Sequence, residues 1–190
     1  MGECGTVRAL IIGPQGAGKG TQAVRIAAEV GIPHISTGDL FRDNISSGTE
    51  LGALAQQYMS AGDLVPDEVT QSMLADRLAL PDTEPGFLLD GFPRNLPQAT
   101  WLAGLLSERH TELEKVILLT APDEVLIERM IARGREDDTV EAIQRRLDLY
   151  HAETEPLVEH YGEIVVRIDG VDEVDEVTDR IVSGLGLATR

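Results

Sequence analysis

Ten residues have the types and spacing to hold a polyphosphate: Gly13-Pro14-Gln15-Gly16-Ala17-Gly18-Lys19-Gly20-Thr21-Gln22. Glycines in such a turn let backbone N–H groups approach phosphate oxygens, and a helix starting behind it adds its positive dipole end. Lys19 supplies a mobile cation for the terminal phosphates. The general form of this loop has Ser or Thr directly after the lysine, where the hydroxyl binds Mg²⁺; here Gly20 intervenes and Thr21 comes one later. The plainer alternative is a glycine-rich left-handed turn, and glycines plus a lysine at these offsets weigh against it. Elsewhere the cations are selective. Two lysines, Lys19 and Lys115, stand beside fourteen arginines. Arg42, Arg94, Arg129, Arg133, Arg135, Arg145 and Arg146 fall in or beside short motifs. The guanidinium fork suits phosphate, so arginine concentrated in an acidic chain points to a compact polyanion. A general preference for arginine over lysine accounts for part of this. Asp90 ends an apolar run, where a bare buried carboxylate is costly; a hydrated Mg²⁺ would neutralise it, and a helix or turn cap is the alternative. His34, His110, His151 and His160 are scattered and read as structural or surface residues.

The elements that must position these groups alternate in type. Val7–Ile12 is a continuous apolar strand of the kind buried on both faces of a parallel sheet. A helix is expected over Lys19–Val30, closed by Gly31. Ile32–Ile35 is a short second strand. Ser36-Thr37-Gly38-Asp39 has capping-box spacing, ahead of helices over Leu40–Ser47 and Glu50–Ser60. A further helix is expected over Asp67–Leu80. Gly86–Asp90, Lys115–Thr120 and Ile164–Ile168 are the remaining strands. Helices are expected after Pro97, over Pro122–Ala132, over Thr139–Tyr161 with Pro156 kinking or dividing it, and from about Asp172. The pattern predicts an α/β fold, a three-layer αβα arrangement around a five-stranded parallel sheet. Ligands gather at the carboxyl ends of such strands. Residues 36–66 hold only helices, so they should bulge from the sheet beside a second subsite.

Composition excludes several classes. A formal net charge of −17 disfavours duplex nucleic acid and anionic membranes as partners. An aromatic content of 4% leaves little for stacking on single strands. No apolar run approaches the roughly 18 residues a membrane span requires. Met1–Thr6 lacks the layout of a signal peptide, and the single cysteine, Cys4, allows neither an internal disulfide nor a cysteine-rich zinc site. The expectation is one cytoplasmic domain.

Four stretches, Gly13–Gln22, Ser36–Asp39, Asp90-Gly91-Phe92-Pro93-Arg94 and Gly134-Arg135-Glu136-Asp137-Asp138, give the chain a resemblance to adenylate kinases that covers nearly its whole length. The resemblance implies a P-loop kinase that runs ATP + AMP to 2 ADP with Mg²⁺. It implies one domain over 1–190, with a core of 1–35, 67–131 and 139–190, an AMP-binding insert of 36–66 and a lid of 132–138. Gly16, Ala17, Gly18, Lys19, Gly20 and Thr21 would cradle the ATP phosphates. Arg129 would lie by the adenine, Arg133 on the phosphates, and the backbone near Asp172 beside the base; a surface ion pair with Glu128 or Asp123 is the alternative for Arg129. The AMP side would comprise Thr37, Arg42, Asp63, Leu64, Val65, Gly91, Phe92, Pro93, Arg94 and Gln98, with Arg135 and Arg146 completing the phosphate cluster. Lys19, Arg94, Arg129, Arg135 and Arg146 would be the catalytic set, and Asp90 would hold Mg²⁺ through water.

Related kinases of UMP and CMP share Phe-Pro-Arg-Asn, present here as Phe92–Asn95. They tend to carry Ala where Thr37 stands and Asn where Gln98 stands, which favours AMP. A UMP/CMP kinase and a catalytically silent adenine-nucleotide sensor are the other readings; the transition-state charges argue against the sensor. Two features depart from the family. Gln15 replaces a usual proline. Only Gly134 separates Arg133 from Arg135, so the lid is the short form without zinc, and a monomer is expected. Asp137 and Asp138 are expected to hold the lid arginines between turnovers.

Overall fold

The computed structural model describes residues 7–186, so Cys4 and the rest of the first six residues lie outside it. Five parallel strands, β1 (Val7–Ile12), β2 (His34–Ser36), β3 (Gly86–Asp90), β4 (Lys115–Thr120) and β5 (Val165–Asp169), form one sheet ordered β2-β3-β1-β4-β5. Strand alternation feeds two cores. Ala9 and Ile11 of β1 and Ile117 and Leu119 of β4 face one, while Leu10, Ile12, Val116 and Leu118 face the other. Because the side-chain period is two, the central strands β1, β3 and β4 are apolar on both faces and read as nearly unbroken hydrophobic runs, whereas the edge strands β2 and β5 are mixed.

Helices cover both faces. α1 (Lys19–Val30), α6 (Asp123–Arg133), α7 (Val140–Leu149) and α9 (Val174–Gly184) contribute Ile26, Met130, Leu147 and Ile181 to the first core. α4 (Asp67–Leu78), α5 (Leu96–Glu108) and α8 (Leu157–Tyr161) contribute Leu74, Leu102 and Val158 to the second. α2 (Thr37–Ser46) and α3 (Glu50–Ala61) stand apart with a small cluster of their own, built on Phe41, Ala55 and Val65.

Boundaries follow or depart from the sequence reading for local reasons. The helix start expected at Ser36–Asp39 is present, the Ser36 hydroxyl accepting the Asp39 N–H at 3.2 Å, so α2 runs from Thr37 continuously with the stretch expected from Leu40. α4 stops at Leu78 rather than Leu80, since Pro81 pushes Leu80 into an extended conformation, ψ 143°. The stretch over 139–161 is divided. α7 ends at Leu149, a π turn occupies Tyr150–Thr154, and α8 follows Pro156. Register then does the positioning: Ile11 pairs with Asp90 and Ser36 also pairs with Asp90, so the ends of β1, β2 and β3 open onto one edge.

Candidate active site

A cleft of about 590 Å³ opens at that edge. Its floor is the loop between β1 and α1. Gly16 has φ +87°, and a Cβ there would lie 2.7 Å from the Leu126 carbonyl oxygen, so the turn packs too closely on α6 for any side chain. Lys19 opens α1, and its ammonium donates to the Pro14 carbonyl at 2.8 Å, folded back over the loop. Burial lowers its pKa to about 8, and the Arg94, Arg133 and Arg135 charges act in the same direction against the pull of Asp90. A lysine held this way gains from an incoming phosphate.

Arginines from four places converge above it. Arg94 follows β3, and its Nε donates to the Gly91 carbonyl at 2.8 Å. Desolvation lowers its pKa, Asp90 opposes, and the charges of Arg146 and Arg42 lower it further. Arg135, at the tip beyond α6, is lowered by desolvation and by Arg42 and Arg133, and has no carboxylate within ion-pair distance among the described residues. Cations that destabilise one another in a desolvated cleft are a receptor for a multiply charged anion. Others are held by carboxylates. Asp138, its side chain only 1% exposed, accepts from Arg133 at 3.0 and 2.8 Å and from Arg146 at 2.8 Å. Arg146 also bonds Asp137 and donates to the Met59 carbonyl at 3.0 Å, so α7 reaches α3. Arg42 pairs with Asp39. Burial pushes the Asp39 carboxyl up, but the Arg42 hydrogen bond and charge outweigh it and hold it below the usual range.

Arg129 is not a surface ion pair. Its guanidinium donates to the Gly170 carbonyl at 2.8 Å and to those of Gly16 and Val171 at 3.4 Å, joining the phosphate loop to the turn after β5. Asp172 in that turn lines the cleft, as do Gly16 to Thr21 and Arg133. Across the cleft stand Thr37, Arg42, Asp63, Leu64, Val65, Gly91, Arg94, Gln98, Arg135 and Arg146. Phe92 and Pro93 do not line it. The Phe92 ring is 0% exposed in the second core, edge-on to Trp101 at 5.7 Å, and Pro93 borders a smaller cavity of about 50 Å³.

The structure adds contacts that sequence reasoning did not give. His34 lines the cleft with Nε2 3.5 Å from an Asp90 carboxylate oxygen. Asp67 accepts from Gln98 Nε2 at 2.7 Å, while Gln98 Oε1 accepts the Arg94 N–H at 2.8 Å. Arg145 pairs with Asp63. The Thr154 hydroxyl donates to the Arg94 carbonyl at 2.7 Å. His34 carried a signal in its place in the strand leading to Ser36, and Arg145 in its place among the motif arginines; Asp67 and Thr154 carried none and reach their partners across long chain separations.

The donor set suits a hard cation of the Mg²⁺ type that keeps most of its water. Asp90, 8% exposed at the end of β3, is a single buried carboxylate facing the loop; a Cβ on Gly20 would lie 3.8 Å from its Oδ2. Among the described residues no group of three or more His, Cys, Asp or Glu could enclose a metal. One carboxylate beside substrate phosphates is how Mg²⁺ is commonly bound.

Phosphate loop, αβα sheet and a cleft lined by arginines belong to a P-loop phosphotransferase. The adenylate kinase pattern matches residues 11–166. Adenylate kinases of Nocardia farcinica and Corynebacterium glutamicum strain R are each 51% identical over 180 residues, covering 95% of this chain and 99% of each relative. That of Micrococcus luteus is 51% identical over 184 residues, 94% of this chain and 90% of the relative. The chain belongs to the adenylate kinase family and is a nucleoside monophosphate kinase.

Proposed function

We propose that this chain transfers the γ-phosphoryl group of ATP directly to AMP, giving two ADP, reversibly and with Mg²⁺. The convergence of Lys19, Arg94 and Arg135 on one desolvated cleft carries the reading, because the reaction concentrates charge between two phosphate chains. The core, the insert over 36–66 and the short lid over 132–138 are taken as its working parts, in a cytoplasmic monomer.

An oxygen of the AMP phosphate attacks the γ-phosphorus in line, and the bond to the β–γ bridging oxygen breaks, its electrons staying on ADP. The nucleophile needs no general base, since a phosphate monoester is largely a dianion at neutral pH, with a second pKa of about 6. The protein therefore positions two anions and stabilises the equatorial oxygens of a loose transition state. Arg94 and Arg42 hold the AMP phosphate, and Thr37, Gln98 and the backbone of Asp63–Val65 and Gly91 face its base. Gly16–Thr21 and Arg133 hold the ATP phosphates, with Arg129 and the Asp172 turn on the adenine side. Lys19, Arg135 and Arg146 follow the moving charge. Bound Mg²⁺, held through water by Asp90, would supply charge neutralisation between the phosphates.

Mixing the protein with Mg-ATP and a panel of monophosphates tests this: AMP yields ADP, while UMP, CMP and GMP respond far more weakly. Lys19→Ala and Arg94→Ala each lose at least about 10²-fold in kcat, the scale of one transition-state donor. A comparable rate with CMP overturns the base assignment, and near-normal turnover in both variants overturns the site.

A further inference from the structure

We propose that Thr154 is a positioning residue for phosphoryl transfer, acting on nucleotide through the backbone of Arg94. The inference rests on the reading that Arg94 holds the AMP phosphate.

Arg94 lies in a loop between β3 and α5, where nothing in a helix or sheet ladder fixes it. Three hydrogen bonds do so instead. Gln98 Oε1 takes its N–H at 2.8 Å, the Gly91 carbonyl takes its Nε at 2.8 Å, and the Thr154 hydroxyl donates to its carbonyl at 2.7 Å. The first two partners are local, Gly91 three residues back in the same loop and Gln98 four residues on in the first turn of α5. Thr154 is 60 residues distant and is 9% exposed, so it ties the loop to a separate, packed element.

The local fold there is organised for this contact. The Glu155 N–H bonds the Tyr150 carbonyl at 2.9 Å, five residues back, which makes Tyr150–Thr154 a π turn at the end of α7. One extra residue in a turn rotates the chain beyond it by roughly 100° relative to a continuous α-helix. Thr154 is thereby carried round to the Arg94 loop, and Pro156, which lacks an N–H, ends the ladder just beyond it. π turns of this kind occur disproportionately at functional sites. A Val side chain would fill the same space, so packing alone does not call for a hydroxyl.

Steady-state kinetics on Thr154→Val and Thr154→Ser, with melting curves for both, test the assignment. Releasing one anchor lets the guanidinium shift, and displacements near 1 Å can cost up to about 10²-fold, so Thr154→Val is expected to lose about tenfold in kcat. The KM for AMP rises several-fold while the KM for ATP stays within about twofold, and Thr154→Ser restores both parameters because it keeps the donor. On an Arg94→Ala background Thr154→Val adds no further loss, since the two act through one group. Three results overturn the proposal: kcat and the KM for AMP unchanged in Thr154→Val, equal impairment of Val and Ser variants, or equal loss towards both nucleotides. Should Thr154→Val fail to fold, Thr154→Ala compared with Thr154→Ser answers the same question. Full activity in Arg94→Ala alone would remove the underlying reading, whereas a dead Arg94→Ala beside an unaffected Thr154→Val removes only this one.

Discussion

Lys19 is the residue where burial and function pull hardest against each other. Burial lowers its pKa to about 8, so its ammonium loses protons at mildly alkaline pH. kcat/KM reports the free enzyme, so for ATP it should be level below about pH 7 and reach half its plateau near pH 8. kcat reports the nucleotide-bound enzyme, where phosphates favour the charged form, so its decline should begin at higher pH. Coincident declines would show that bound phosphates do not favour the charged form, whereas a kcat/KM flat to about pH 9.5 would show that Lys19 keeps an ordinary pKa near 10.4. Gln98 offers a second case. The Arg94 N–H can only donate and the Asp67 carboxylate can only accept, so together they fix which end of the amide faces which way. One N–H and one lone pair are left for a base, in an order that suits an edge with amino donor and ring-nitrogen acceptor. Guanine presents the reverse order. Asp67→Ala should therefore lose about tenfold in kcat/KM with AMP, roughly 1.4 kcal/mol, with little change for GMP. A uniform loss across bases in a monophosphate panel would remove Asp67 from selectivity.

At the scale of elements, the segment after α6, α7 and the end of α3 form one connected set. Arg146 joins Asp137 and Asp138 to the Met59 carbonyl, Arg145 reaches Asp63, and Gly62 at φ +80° packs where a Cβ would sit 2.6 Å from the Ala142 carbonyl oxygen. Asp138 is the hub, and its carboxyl shows the balance. Burial pushes its pKa up, but the Arg133 hydrogen bond and charge, with help from Arg146, hold it below the usual range. Its folded value is thus below its unfolded one. The stabilisation is fully present above the unfolded value, about pH 4, and is lost as pH falls through the lower folded value. Asp138→Asn should melt below the parent at neutral pH, with the gap closing in acid; a gap independent of pH would mean the charge contributes nothing. The four motif stretches could be read from sequence because local residue types determine turns, caps and strand ends. Bonds between distant elements could not. Arg129 reaches a carbonyl 113 residues away and Gln98 a carboxylate 31 residues away, and no periodicity encodes either. Pro156 marked a break in the helix, yet the π turn that aims Thr154 depends on how α7 packs.

Across the whole molecule, charge is partitioned. Lysine and arginine total 16 against 33 acidic residues, and many of those cations are drawn into the cleft, so the remaining surface is predominantly negative. Such a surface repels polyanions too large to enter, while a compact nucleotide reaches the arginines inside. It also repels itself. Exposed pairs such as Arg77–Asp82 contribute little individually, and there are too few cations to pair the excess acids. Added salt weakens those few pairs but also shortens the range of repulsion, from about 30 Å at 0.01 M to about 8 Å at 0.15 M. With acidic residues in twofold excess the second effect should dominate, so the melting temperature should rise with NaCl over this interval. The rise should then flatten, since further screening acts on separations already beyond the Debye length. Melting curves across a NaCl series at pH 7 decide it: a fall in melting temperature would mean that local ion pairs, Asp138 with its two arginines foremost, outweigh the long-range field.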